Sequence, residues 1–396
     1  MLWRWIIMKL KNDTKEKNSL YLQSETDDDR LNLKYQDKKY NESYKQWRLK
    51  NKDSLGFFFV ENPNRLTYQD DVGFIYEYPE VQEEKTLRRA VNVLGYILIL
   101  RALFEIFFIY VFPRLLEMAG IEIRYDIFTG KLYGDDMLIL TVKFISGILA
   151  MMLPISILIK QLGMPFRVML PMKITNKPMF RLSVPIMLLI CGVCSIMSTL
   201  YEYLLGLVKI NTERSIIIPE NVSGIIYLII TQIIIIPTVN ELCARGVVLQ
   251  FTRQFGDGIA IVISSFVTAA MSFDITKFCF VFIAAVAISY FTIRTGSVIT
   301  AVVMRITMQA FAYVLYFLDY RTDSDMLVML FMLITITTGF IFTVYFLYKH
   351  SDRFGMKLSS RYMTYGRKLL AFFTSIPIII WLTADFIISL FNIKFQ

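Results

Sequence analysis

Residues 223–248 read SGIIYLIITQIIIIPTVNELCARGVV. The first half is an apolar run of the kind that crosses a bilayer, where about 20 such residues are needed. The second half carries Glu241 and Arg245 four positions apart, so the two side chains share one face of a helix. An ionised carboxylate in hydrocarbon is strongly disfavoured unless it is paired, and a partner one turn away lowers that penalty. Pro237, one turn before Glu241, kinks the helix or frees carbonyl groups, a device common near membrane sites. Asn240 adds a polar group on a nearby face.

The rest of the chain has the same character. Its 396 residues are 55% hydrophobic and 15% aromatic, with a mean hydropathy of +0.51. Strands with alternating polarity are absent, which counts against a barrel, and the expected fold class is an all-α polytopic membrane protein. About nine transmembrane helices are expected, near 91–113, 137–160, 182–208, 223–250, 258–273, 278–293, 297–318, 326–348 and 369–391. The loop between the second and third holds Lys160, Arg167, Lys173, Lys177 and Arg181 without an acid. The loop after the eighth holds Lys349, Arg353, Lys357, Arg361, Arg367 and Lys368. The loop before the eighth carries Asp319, Asp323 and Asp325 against Arg321. This asymmetry predicts a cytoplasmic N-terminus and an outer C-terminus. The net charge of +9 is then a property of inner loops, and no nucleic-acid partner is expected.

Four parts follow along the chain: a polar N-terminal extension (1–90), two helices with a basic loop (91–180), a central core (182–318) and two C-terminal helices (319–396). The first half of the extension reads as unstructured or loosely helical. The aromatic-rich stretch 55–80 folds locally or lies on the membrane surface. Cys191, Cys194, Cys243 and Cys279 all fall in apolar segments and read as small buried hydrophobes, not as a disulfide framework. No internal repeat is visible, which counts against a transporter built on inverted repeats.

Further buried polar positions gather in the core. Thr268 and Ser272 lie one turn apart, with Asp274 just beyond, and Arg305 lies eight residues into the seventh span, with Gln309 one turn on. An Arg at that depth needs a carboxylate, backbone carbonyls or a water-filled cavity, and Glu241 is its most economical partner. Arg101, Lys143 and Glu202 lie closer to span ends or within snorkelling reach.

In order and spacing, NELCARG, then SSFVTAAMSFD, then RTGSVITAVVMRITMQ resemble the CPBP family, the CAAX proteases and bacteriocin-processing enzymes also called Abi. That family carries EExxxR, then FxxxH, then HxxxN or HxxxB on successive helices, and the resemblance covers roughly 182–318. It implies an intramembrane metallo-endopeptidase fold with a peptide-sized cavity. Aligned on these motifs, Asn240 stands where the family has its first Glu, the one taken as activating water. Glu241 and Arg245 match the second Glu and the Arg. Thr268 and Ser272 stand at the Phe and His of the second motif, Arg305 and Gln309 at the His and Asn of the third. The only histidine of the chain, His350, falls in a loop.

Metal-assisted hydrolysis needs about three protein ligands and an open position. Near these motifs the chain offers Glu241, with Asp274 as a further candidate, and no imidazole, so no metal or other cofactor is expected; zinc or another divalent ion is implied only for an active peptidase. Whether the chain is an enzyme stays open on sequence alone. The preferred reading is a catalytically degenerate homologue. It would bind a lipidated or membrane-anchored peptide, or a partner membrane protein, in a polar intramembrane cavity. The alternatives are an active peptidase, with Glu241 as base and Arg305 and Gln309 as oxyanion donors, and a small-solute transporter. The bilayer is the first partner in every case, and the Lys-, Asn- and Ile-rich composition suggests a bacterial plasma membrane.

Overall fold

The computed structural model describes residues 33, 35–52, 54–58, 66–69, 73–76, 79–126, 131–207, 210–211, 218–272, 277–322, 324–350, 362–391 and 394–395. The chain is a bundle of helices, with three two-stranded antiparallel ribbons at its margins. The bundle begins with an amphipathic helix, α1 (Lys38–Lys50). Tyr40, Tyr44 and Trp47 recur at i, i+4 and i+7, which gathers three rings on one face; all three are buried, together with Arg48. A ribbon follows (β1 Leu66–Gln69, β2 Gly73–Tyr76).

The first long helix, α2 (Pro79–Ile106), continues through a π turn at Phe107–Val111 to Met118. A second ribbon (β3 Ile123–Asp126, β4 Lys131–Gly134) leads into α3 (Asp136–Leu162), which Asp135 caps by accepting from the Met137 and Leu138 amides. The short α4 (Phe166–Met169) and α5 (Lys177–Leu207) come next. Then follow α6 (Val222–Phe255), α7 (Asp257–Ala270), α8 (Phe278–Thr295), α9 (Val298–Thr322) and α10 (Asp325–His350). The chain closes with α11 (Tyr365–Phe373), α12 (Ile376–Phe391) and a strand, Lys394–Phe395, that pairs with Ile210–Asn211.

Among the described residues seven helices are long and apolar enough to cross a membrane, or eight if the pair bent by 65° at residues 374–375 is one span. The protein is therefore an all-α polytopic membrane protein. The count is smaller than the nine expected, and the difference lies in two places. The ninth expected span is the bent pair α11 and α12. The fifth is α7, whose 14 residues rise only about 21 Å, short of the roughly 30 Å hydrocarbon layer. It pairs with α8 as a helical hairpin, and its last turn stops beside the middle of α2, where Arg101 Nη2 donates to the Met271 carbonyl at 3.2 Å. Arg101 also pairs with Glu105 one turn on, so it is held inside the bundle. Lys143 is exposed, and Asp274 falls outside the described residues.

Close backbone approach is used where α5 meets α10. A Cβ on Gly339 would lie 2.9 Å from both the Leu189 amide and the Pro185 carbonyl, so only glycine lets these helices pack at that distance, as is usual between membrane helices. The largest apolar cluster joins α2, α3, α6, α7, α11 and α12 with the rings of α1.

Candidate functional site

The site is built on α6, which is not a uniform α-helix. It runs through π segments at Ile229–Ile235 and Leu242–Val248, with Ile236–Glu241 α-helical between them. At the end of the first segment the Ile236 amide donates five residues back, to the Thr231 carbonyl. Pro237, which has no amide to give, follows directly as the first turn of the next α segment. The backbone thus absorbs the proline by widening the helix. The second π segment carries Arg245. Such widened turns cluster at functional sites.

Glu241 lies between two guanidinium groups. Arg245 Nε is 3.2 Å from its Oε2 and Arg305 Nε is 3.8 Å from its Oε1. Side-chain exposure is 1% for Glu241, 0% for Arg245 and 17% for Arg305, so Arg305 is the open edge of the cluster. Arg245 is fixed from the other helices of the core: Nη1 donates to Thr268 Oγ1 on α7 at 2.7 Å, and Nη2 donates to the Ala285 carbonyl on α8 at 3.0 Å. Thr268 in turn donates to the Ser264 carbonyl at 2.7 Å. One turn below, a hydroxyl cluster of Ser264, Ser265 and Ser289 ties α7 to α8 at 3.1 Å.

The other motif positions are placed less tightly. Ser272 donates to the Ala269 carbonyl of its own helix at 2.7 Å and is half-buried. Asn240 and Gln309 are half-buried. Arg305 Nη1 donates weakly to the Met308 sulfur at 3.5 Å. His350 ends α10 with its ring against Phe346.

Three charges within contact distance, two positive and one negative, leave the cluster with one net positive charge. A divalent metal does not fit here. Among the described residues Glu241 is its one anionic donor, and a cation at either oxygen would meet a guanidinium already in place. Among the described residues no group of three or more His, Cys, Asp or Glu is placed to hold a metal ion.

A second polar layer, which sequence reasoning did not assemble, seals one end of the bundle. Tyr40 donates to Gln250 Oε1 at 2.6 Å and Tyr44 to the Gln250 carbonyl at 2.9 Å. Gln250 Nε2 donates to the Arg245 carbonyl at 3.2 Å, so α1 is one side chain away from the Glu241 cluster. Trp47 Nε1 donates to the Leu162 carbonyl at 2.8 Å. Gln254 accepts from the Phe57 amide and donates to the Leu55 carbonyl. Arg253 pairs with Asp257 at 2.7 Å, and Lys368 with Glu83 at 2.6 Å. Glu83 also accepts from the Tyr362 and Met363 amides. Burial pushes the Tyr40 hydroxyl above its ordinary value, and Arg253 beside it opposes that rise. The signal available in the sequence was the spacing of Tyr40, Tyr44 and Trp47.

None of the curated proteins and none of the solved structures matches the chain. Residues 222–311 match the family model described as Type II CAAX prenyl endopeptidase Rce1-like. That stretch runs from the start of α6 into α9 and contains Glu241, Arg245, Thr268, Arg305 and Gln309, so the segment that builds the Glu241 cluster is the part of the chain similar to the Rce1-like endopeptidases of the CPBP family.

Proposed function

We propose that the protein is a non-hydrolytic relative of the CAAX endopeptidases, one that binds the end of a membrane-anchored or lipidated peptide at its Glu241 cluster. The observation that carries this reading is the commitment of Glu241. Its carboxylate is buried between Arg245 and Arg305, where it ties α6 to α9 and is closed off from solvent. A general base must reach the proton it takes, directly or through one water. No imidazole stands beside it, and Asn240 is not a base.

The groups left to meet a ligand are Arg305 and Gln309, one turn apart on α9 and both partly open. A guanidinium and an amide suit a peptide carbonyl or a terminal carboxylate. The substrate class rests on the Rce1-like match, whose model is described as a CAAX prenyl endopeptidase.

The test compares the N- and C-termini of membrane proteins by mass spectrometry in three strains: wild type, deletion and Glu241→Gln, with the variant checked for normal abundance. No terminus is expected to depend on Glu241. A terminus that disappears in both the deletion and the normally abundant Glu241→Gln strain would show an active peptidase and overturn the proposal.

A further inference from the structure

Where α1 meets the connection between α3 and α5, the packing leaves a cavity of about 330 Å³ lined by Gln36, Asp37, Tyr40, Arg167, Lys173 and Gly296, with the backbone of 170–172 between them. The polar atoms of its walls are mostly taken. Tyr40 donates to Gln250. The Pro171 and Met172 carbonyls accept from the Val298 amide and from Ser297 Oγ, and the Gly296 amide donates to the Thr292 carbonyl. Gln36, with its amide turned to satisfy both neighbours, donates to the Gly296 carbonyl at 3.2 Å and accepts from Arg253 Nη1 at 2.8 Å. What remains open is charge. Lys173 makes a loose ion pair with Asp37 at 3.7 Å and is 71% exposed. Arg167 is exposed and makes no ion pair among the described residues. The lining therefore carries one net positive charge and most of the unused donors of two basic side chains.

The surroundings point to a source. The cavity lies between the end of α3 at Leu162 and the start of α5 at Lys177, the adjoining ends of two helices long and apolar enough to cross a membrane. Phe166 and Met172, 70% and 47% exposed, flank it, as apolar residues do where a chain lies along hydrocarbon. Basic pockets between transmembrane helices at this level bind anionic headgroups, and an Arg fork suits phosphate oxygens.

We propose that this cavity is a binding site for a phosphate-ester anion, supplied by an anionic phospholipid headgroup. Arg167 and Lys173 hold the phosphate, and the entry to α1 forms the opposite wall through Gln36, Asp37 and Tyr40. A bound headgroup bridges the N-terminal segment to the core, so occupancy and the seating of α1 are linked. This inference is independent of whether the Glu241 cluster cleaves or only binds.

The experiment uses the full-length protein in nanodiscs of phosphatidylcholine alone or of phosphatidylcholine with phosphatidylglycerol, with inorganic phosphate added to the former as a second arm. Thermal unfolding is read for the wild type and for R167Q/K173Q, whose altered residues are exposed and need not disturb folding. Phosphatidylglycerol is expected to raise the unfolding temperature of the wild type. The double variant is expected to bind it roughly twenty-five-fold more weakly, about a factor of five for each basic side chain neutralised. A shift produced by inorganic phosphate alone, and abolished in R167Q/K173Q, supports the site and reassigns its source to a soluble phosphate. No shift with either anion, or a shift of equal size in the variant, overturns it.

Discussion

Arg245 donates to Thr268 across the gap between α6 and α7 at 2.7 Å, which joins the first and second motif segments through one hydrogen bond. The hydroxyl is thus the partner of a buried cation. Ser272, the other polar position of the second motif, bonds only within its own helix.

Thr268→Val keeps the shape and removes the acceptor. One guanidinium donor is then left buried without a partner, a loss of about 1–3 kcal/mol. Ser272→Ala gives up only a local bond to Ala269 and is expected to stay within about 0.5 kcal/mol of wild type. Chemical unfolding of the two variants in mild detergent measures both. Equal effects would mean that Thr268 is not the side chain anchoring Arg245.

Arg245→Met removes the closer of the two cations around Glu241 and leaves Arg305 at 3.8 Å. Breaking a buried pair by deleting one partner is unfavourable by about 3–5 kcal/mol, whereas replacing both partners by apolar residues of similar volume is often neutral. The double variant E241M/R245M is therefore expected to recover most of the stability that Arg245→Met gives up. If the double variant is as unstable as the single one, the pair contributes through something other than its charge.

Most of the fold class was legible because apolar runs dominate it, but depth and long-range pairing were not. The segment 258–273 reads as one more span, since nothing in its composition separates a half-length helix from a full one; α7 turns back beside Arg101 instead. Lys368 counts among the basic residues of a loop, yet it is buried against Glu83, 285 positions earlier. The extension hides α1 because a mean over a polar segment erases one stripe of three rings. At the site, the pairing of Glu241 with Arg245 follows from helical spacing. The anchoring of Arg245 by the Ala285 carbonyl has no sequence signature, because a backbone acceptor carries no residue type.

Gly296 ends α8 with φ +72°, and a Cβ there would collide with the Tyr35 carbonyl. Gly296→Ala is strained in its backbone, as any side chain is at positive φ, and it pushes on the chain entering α1. Unseating of α1 is expected, read as faster proteolysis within 38–50 while the helical content of the bundle stays unchanged. Unaltered protection would mean that the entry to α1 yields without cost.

The docking of α1 is also expected to weaken in alkali. Burial raises the Tyr40 hydroxyl above its ordinary value, which is about 10, so the docked state holds its proton more tightly than the released state. The contribution is fully present below about pH 10 and is lost as pH rises through the higher, docked value. Protection of residues 38–50 from proteolysis should therefore decline reversibly above about pH 10. Tyr40→Phe removes both the titrating group and its bond to Gln250. Its docking should be weaker at neutral pH, by about 1 kcal/mol, and should decline less steeply in alkali. An alkaline decline as steep in Tyr40→Phe as in the wild type would assign the effect to another group.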